Sequence, residues 1–157
     1  MNQNIREIRM KDNLIVEAVF FNGIVKDFDV SSLFEKHPEY RVLKQDVALW
    51  KNAELLPQGS GICFNDDLDL TVEEIWKYGV TVGKVPVEPE YEIAYAISSA
   101  REEKGMSQKQ LSQLSGVTQC DISRIEGGVA NPTIETLGKI CKVLGLQLSV
   151  TVPPRRA

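Results

Sequence analysis

The apolar residues of this chain follow two different periods. In the first half they fall in short runs where apolar and polar residues alternate, which is typical of β-strands. In the second half they recur every three or four residues, the period of an α-helix with one buried face. The change of period predicts an α+β protein with a β-rich domain over residues 1–81 and a helical domain over residues 91–145.

The β-rich half contains two predicted hairpins. The runs 14–21 and 24–30 are rich in Val, Ile and Phe, and Asn22-Gly23 between them suits the positive φ angles of a type I′ turn. A second hairpin is predicted to join residues 53–56 to residues 61–64. A short capped helix is predicted to begin at Thr71.

Two segments outside these domains are expected to be extended. Residues 82–90 alternate two prolines with valines and glutamates, a composition that favours a stiff linker. In the tail 146–157, Leu146, Leu148 and Val150 alternate with polar residues, which predicts a short C-terminal strand.

The helical half is divided by glycines and prolines into helices that begin at capping residues. Ser107 is followed three residues later by Gln110, the capping-box pattern of a helix N-terminus. Gly116 ends that helix and allows a sharp turn into the next, which begins at Thr118. Two short helices joined in this way predict a helix-turn-helix unit, whose second helix exposes one side of residues 118–126 to a DNA major groove. The residues predicted to line the inner faces of the helices are Ile93, Ala94, Ile97, Ala100, Leu111, Leu114, Ile122, Ile125, Ile134, Leu137, Ile140, Cys141 and Leu144.

The charge of the chain is unevenly distributed. The net charge of −4 by itself argues against nucleic acid as a partner. Residues 1–92, however, carry 10 basic and 17 acidic side chains, a net charge of −7. Residues 93–157 carry 8 basic and 5 acidic side chains, a net charge of +3, so the helical half can present a mildly basic face to DNA.

One run of the helical half resembles a known family. Residues 106–137, MSQKQLSQLSGVTQCDISRIEGGVANPTIETL, resemble the Xre/Cro family of phage and plasmid repressors in residue type, spacing and turn position. The resemblance implies a lambda-repressor-like domain of four or five helices, usually a homodimer, that binds a pseudo-palindromic operator in double-stranded DNA. The function it implies is that of a transcriptional repressor.

The resemblance also implies roles for particular side chains. Base readout falls on four positions of the second helix: Gln119, Cys120, Ser123 and Arg124. Gln108 and Asn131 fall on positions that contact the DNA backbone, and Glu126 falls on the family's buried acidic residue. Cys120 departs from the family, which usually has a better hydrogen-bonding side chain there, and Gly127 stands where the family often has Asn.

The chemistry of these side chains supports the same contacts without the family. A glutamine such as Gln119 can bind adenine through two hydrogen bonds, and Arg124 can bind guanine or a phosphate. Ser107, Gln108 and Thr118 lie at predicted helix N-termini, where backbone N–H groups favour phosphate oxygens.

The N-terminal half is similar to small bacterial β-rich proteins known only as a domain of unknown function. The similarity runs from Asn13 through Trp50 to the Asp67-x-Asp69-Leu70 segment and the helix that follows. It implies no activity, but some such modules are coupled to a neighbouring small protein in the manner of a toxin–antitoxin pair. Two hypotheses therefore stay open beside the repressor: an antitoxin whose acidic half binds a small basic toxin, and an adaptor whose helical domain binds only protein.

Other kinds of site find no support in the residues. The three cysteines lie far apart without a C-x-x-C pair and predict reduced thiols, and the single histidine, His37, cannot complete a standard zinc site with them. No nucleophile, base and orienting residue stand in a catalytic pattern, so we expect neither an enzyme nor a cofactor. Without an apolar run of roughly 20 residues or an apolar signal-peptide core, we expect a cytoplasmic protein that does not enter a membrane.

Overall fold

The computed structural model describes residues 3–151, with a β-rich part followed by a helical part. The strands are Ile5–Met10 (β1), Ile15–Phe20 (β2), Ile24–Asp29 (β3), Glu54–Leu55 (β4), Gly61–Asn65 (β5), Leu68–Thr71 (β6) and Val80–Lys84 (β7). The α-helices are Val42–Gln45 (α1), Val47–Lys51 (α2), Val72–Tyr78 (α3), Pro89–Glu103 (α4), Gln108–Ser115 (α5), Gln119–Glu126 (α6) and Ile134–Leu144 (α7). Short 3-10 turns lie at Asp12–Leu14, Val30–Leu33, Pro38–Arg41 and Pro57–Gly59. Within residues 3–151, no helix is both long enough and apolar enough to cross a membrane.

The strands form two antiparallel sheets around one core. The larger sheet has the order β1-β2-β3-β7 and the smaller has the order β4-β5-β6. Side chains from both sheets and from α1 and α3 meet in one buried cluster, whose largest fully buried members are Ile5, Phe20, Phe28, Leu43, Ile62, Leu70 and Ile75. Trp50 stacks on Phe64 in this core with 6.0 Å between ring centroids, and its indole N–H donates to the carbonyl oxygen of Lys11.

Both predicted hairpins are present, but the first turn differs from the expected one. β2 pairs with β3 and β4 pairs with β5. In the Asn22-Gly23 pair, only Gly23 has a positive φ, of 81°. The N–H of Gly23 donates to the carbonyl oxygen of Phe20, and the side-chain oxygen of Asn22 accepts from the N–H of Ile24. The turn is therefore the three-residue kind that ends in a left-handed glycine, and the type I′ prediction is wrong.

The linker predicted over residues 82–90 is wrong at both ends. Its first residues belong to β7, which pairs with β3 and adds a fourth strand to the larger sheet. Its last residues belong to α4, because Pro89 is well suited to the first turn of a helix. Every residue of β7 is exposed, and an edge strand needs no apolar face, so its composition resembles that of a linker. Only residues 85–88 connect the two parts.

The helical part has four helices within the described residues, and its caps agree with the prediction. Ser107, Thr118 and Thr133 are the N-caps of α5, α6 and α7. Its buried core consists of Ile97, Leu111, Val117, Ile122, Ile125, Leu137, Ile140 and Leu144. Two predicted core residues are wrong: Leu114 is 62% exposed and Ile134 is 77% exposed. Both lie at a helix end, Leu114 in the last turn of α5 and Ile134 at the first residue of α7.

The predicted C-terminal strand is also wrong for the residues that the structure describes. Residues 146–151 pair with no other strand, and Leu148 and Val150 are exposed. Leu146 instead packs on the helical core, and its N–H donates to the carbonyl oxygen of Cys141 in the turn that ends α7. Alternating residues favour a strand only where a partner strand supplies the backbone hydrogen bonds. Residues 152–157 lie outside the described range.

Candidate nucleic-acid interface

Local hydrogen bonds fix both ends of the turn between α5 and α6. The Ser107 hydroxyl accepts from the N–H of Gln110, and the Gln110 side chain accepts from the N–H of Ser107 at 2.8 Å, so the predicted capping box is complete. Gly116 ends α5 with a φ of 74°, a conformation that glycine adopts without steric cost. The Thr118 hydroxyl accepts from the N–H of Asp121 at 3.1 Å and donates to its carboxylate at 2.7 Å. These caps leave the remaining N-terminal N–H groups of both helices open to an anion.

A buried ion pair holds α4, α5 and α6 together. The Glu126 carboxylate accepts from Nε and Nη2 of Arg101 at 2.6 and 2.9 Å, and from Nε2 of Gln108 at 2.9 Å. Arg101 also donates from Nη1 to the carbonyl oxygen of Met106 at 2.7 Å. The hydrogen bonds to Glu126 raise the pKa of Arg101, so the guanidinium stays charged. Glu126 is 2% exposed, which confirms the burial that the family resemblance implies.

The position of Gln108 limits the phosphate contact predicted for it. Its side-chain amide nitrogen is directed into the protein, toward Glu126. A phosphate at the start of α5 would therefore be bound by the backbone N–H of Gln108 and not by its side-chain oxygen, which cannot donate a hydrogen bond. The contact itself stays a prediction.

Three of the four predicted base-reading side chains lie free on one side of α6. Gln119, Cys120 and Arg124 are exposed, and their side chains make no hydrogen bond or ion pair with residues 3–151. Ser123 lies between them, half-buried, and its hydroxyl accepts from Nε2 of Gln58 at 2.7 Å. Positions three and four apart share one face of a helix, so these side chains form a single surface. We call α6 the recognition helix.

A polar groove of about 400 Å³ runs along the other flank of the recognition helix. Thr118 and Thr133, the N-caps of α6 and α7, line this groove together with Arg124, Asn131 and Lys139. Two helix N-termini and the Arg124 guanidinium face this depression and favour phosphate oxygens, whereas Asp121 also lines it and Lys139 is paired with Glu135 at 2.8 Å. Asn131 lies in this groove and is exposed, as a contact to the DNA backbone requires.

Comparison with known proteins agrees with this geometry. Residues 97–150 match a family model described as helix-turn-helix. The C-terminal part of this chain is a helix-turn-helix domain. Residues 5–81 match a model described as a protein of unknown function, DUF2442. This match confirms the similarity of the N-terminal half to a domain of unknown function.

Two curated relatives each match about a third of this chain. An uncharacterized HTH-type transcriptional regulator of Haemophilus influenzae is 53% identical over 57 residues, which are 36% of this chain and 57% of that protein. The HTH-type transcriptional regulator PuuR of Escherichia coli is 45% identical over 53 residues, which are 34% of this chain and 29% of PuuR. The crystal structure of NE0471 from Nitrosomonas europaea aligns with 99% of this chain, but at a TM-score of 0.41 and 10% identity. The chain thus matches little more than half of the first relative and under a third of the second.

Two residues important to the helix-turn-helix domain were missed by sequence reasoning. Arg101 lies four residues after Ile97 on the buried side of α4, and a cation on an otherwise apolar face is a signal that could have indicated a buried partner. Gln58 gave no such signal, because it lies 65 residues from Ser123 in the β-rich part of the chain.

Proposed function

We propose that this protein is a sequence-specific DNA-binding transcription regulator that acts as a repressor. The observation that carries the proposal is the recognition helix, which presents Gln119, Cys120 and Arg124 on one exposed surface with no side-chain partner among the described residues. Exposed side chains of this kind on the second helix of a helix-turn-helix unit can reach base edges in a major groove. The helix-turn-helix relatives named as transcriptional regulators support the same proposal.

Each side chain of this surface has a contact that suits its chemistry. The Gln119 amide can bind adenine through two hydrogen bonds, and the Arg124 guanidinium can bind guanine or a phosphate. The Cys120 side chain is small and weakly polar, so it suits contact with the methyl group of thymine. Ser107 and Thr118 are the N-caps of α5 and α6 and place backbone N–H groups toward the phosphates on either side.

We propose further that two copies bind a pseudo-palindromic operator as a homodimer. Large apolar side chains of the helix-turn-helix domain are exposed in the single chain: Leu114, Val129, Ile134, Leu148 and Val150. The unpaired segment 146–151 could supply a strand to a second copy, which would satisfy its backbone groups. A protein that stays monomeric at micromolar concentration, both free and on its operator, would contradict the dimer.

The antitoxin hypothesis has weaker support. The net charge of −7 over residues 1–92 would attract a basic partner, but charge alone does not identify one. A small basic protein that copurifies with the full chain and binds residues 1–92 would support this hypothesis.

Binding to DNA selected from a random duplex library tests the proposal. The affinity of the selected duplex should fall steeply with salt, by roughly one power of the salt concentration for each phosphate contact. Gln119→Ala and Arg124→Ala should each cost about 1–3 kcal/mol of binding free energy if the side chains read bases. Gln45→Ala and Arg41→Ala, at exposed positions of the β-rich domain, are the matched controls and should bind as the wild type does.

Two outcomes would count against the proposal. If no duplex is enriched and binding is insensitive to salt, the helix-turn-helix domain is an adaptor that contacts protein only. If a duplex is bound but both alanine variants keep the wild-type affinity, Gln119 and Arg124 do not belong to the interface.

A further inference from the structure

A side chain of the β-rich domain contacts the surface proposed to bind DNA. Nε2 of Gln58 donates to Oγ of Ser123 at 2.7 Å, which joins the turn Pro57–Gly59 to the recognition helix. Cγ of Gln58 also lies near Gly127, within 3.7 Å of the position that a Cβ would take there. The Gln58 side chain therefore extends from the middle of α6 at Ser123 to the C-cap at Gly127.

The contact lies in the middle of the exposed side of the recognition helix. Ser123 follows Cys120 by three residues and precedes Gly127 by four, so the three share one face. Gln119 and Arg124 flank this line on its two sides. A base edge or phosphate that approached the centre of α6 near Ser123 would meet the Gln58 side chain first.

The turn that carries Gln58 is held firmly by its own domain. A Cβ at Gly59 would overlap the carbonyl oxygen of Ile5, so the turn lies directly on the backbone of β1. Gln58 itself has a φ of 59°, a left-handed conformation that is uncommon for a residue other than glycine. From this turn the Gln58 side chain reaches Ser123 of α6.

A second contact keeps the β-rich domain against the same end of the recognition helix. The Tyr91 ring packs on Phe21 with 4.9 Å between centroids, and the Arg6 guanidinium lies 5.3 Å from the centroid of the same ring. On its other side, Tyr91 lies against Gly128, where a Cβ would come within 2.8 Å of the ring. Arg6 also forms an ion pair with Glu88 in the connection between the domains.

We propose that Gln58 is an intramolecular competitor of DNA, which occupies Ser123 in the free protein and leaves it when the recognition helix enters a groove. The charge of the β-rich domain also disfavours DNA binding, because residues 1–92 carry a net charge of −7, which repels the phosphates. The inference rests on the proposed function, since it assumes that this side of α6 binds DNA. The apparent affinity of such a protein is reduced by the fraction of molecules in which the surface is occupied.

Removing the side chain tests the competition. Gln58→Ala should bind the selected duplex about two- to tenfold more tightly than the wild type, which corresponds to the loss of one hydrogen bond in the free state. Gln45→Ala, an exposed glutamine on α1, is the control and should change nothing. In the background of Ser123→Ala, which removes the acceptor, Gln58→Ala should lose its effect. Equal or weaker binding by Gln58→Ala in the wild-type background would overturn the proposal.

A measurement on the free protein separates this inference from the proposed function. In a 1H–15N spectrum of the full chain without DNA, Ser123→Ala should move the side-chain amide resonances of Gln58 and leave those of Gln45 in place. Unmoved Gln58 resonances would show that the contact is absent in solution, and the competition would be excluded. A moved Gln58 signal in a protein that binds no duplex would overturn the proposed function and leave the contact intact.

Discussion

The ion pair between Arg101 and Glu126 joins α4 to the recognition helix, and Arg101→Met tests what it contributes. Methionine keeps much of the apolar length of the side chain but removes the guanidinium. The Glu126 side chain, which is 2% exposed, would keep only the hydrogen bond from Gln108. The carbonyl oxygen of Met106 would lose its donor as well.

The expected loss is large because one buried charge would be left without a partner. Removing one member of a buried ion pair costs about 3–5 kcal/mol, against a total stability of about 5–15 kcal/mol for a small protein. Replacing both members by apolar residues is often neutral, so Arg101→Met combined with Glu126→Leu should regain most of the loss. The two substitutions should therefore couple by about 2 kcal/mol or more.

Urea unfolding followed by circular dichroism at the helix band measures these differences in the full chain. Lys139→Met is the matched control, because it removes the cation of the exposed pair that Lys139 forms with Glu135 at 2.8 Å. The unfolding midpoint of that variant should stay within error of the wild type, since exposed pairs contribute little. The reasoning is refuted if Arg101→Met is as stable as Lys139→Met, or if the double variant is no more stable than Arg101→Met.

Two further predictions concern stability. Leu111→Ala removes a fully buried side chain and should lower the free energy of unfolding by about 2–5 kcal/mol, whereas Leu114→Ala should change it by less than about 0.5 kcal/mol. Equal effects of the two substitutions in urea unfolding would contradict the exposure of Leu114. Burial raises the pKa of Tyr40 to about 12, and its hydroxyl donates to the carbonyl oxygen of Asp69 at 2.6 Å. A tyrosine in an unfolded chain has a pKa of about 10. The stability that the protonated Tyr40 hydroxyl contributes to the folded state is therefore complete below about pH 10 and is lost as the pH rises toward 12. The urea unfolding midpoint of Tyr40→Phe should therefore fall less between about pH 10 and pH 12 than that of the wild type. An identical fall in both proteins would contradict the raised pKa of Tyr40.

Most of the helix-turn-helix domain was determined by local patterns in the sequence. A hydroxyl such as that of Ser107 caps a helix through the N–H group three residues later, and glycine at position 116 ends α5 within the same short stretch. Signals of this range act within one helical turn, so they hold whatever the rest of the chain does. The caps of α5, α6 and α7 and the β2–β3 hairpin were predictable for this reason, whereas the burial of Glu126 was implied only by the family resemblance.

Only the tertiary structure decided which surfaces are covered and which are free. Leu114 has the spacing of a core residue but is 62% exposed, and residues 82–84 have the composition of a linker but belong to β7, which pairs with β3. The amide of Gln108 turns inward to Glu126, and Gln58 reaches Ser123 across 65 residues of sequence. Each of these outcomes depends on how distant elements pack, and a periodic pattern records only that a residue could be buried, not what will cover it.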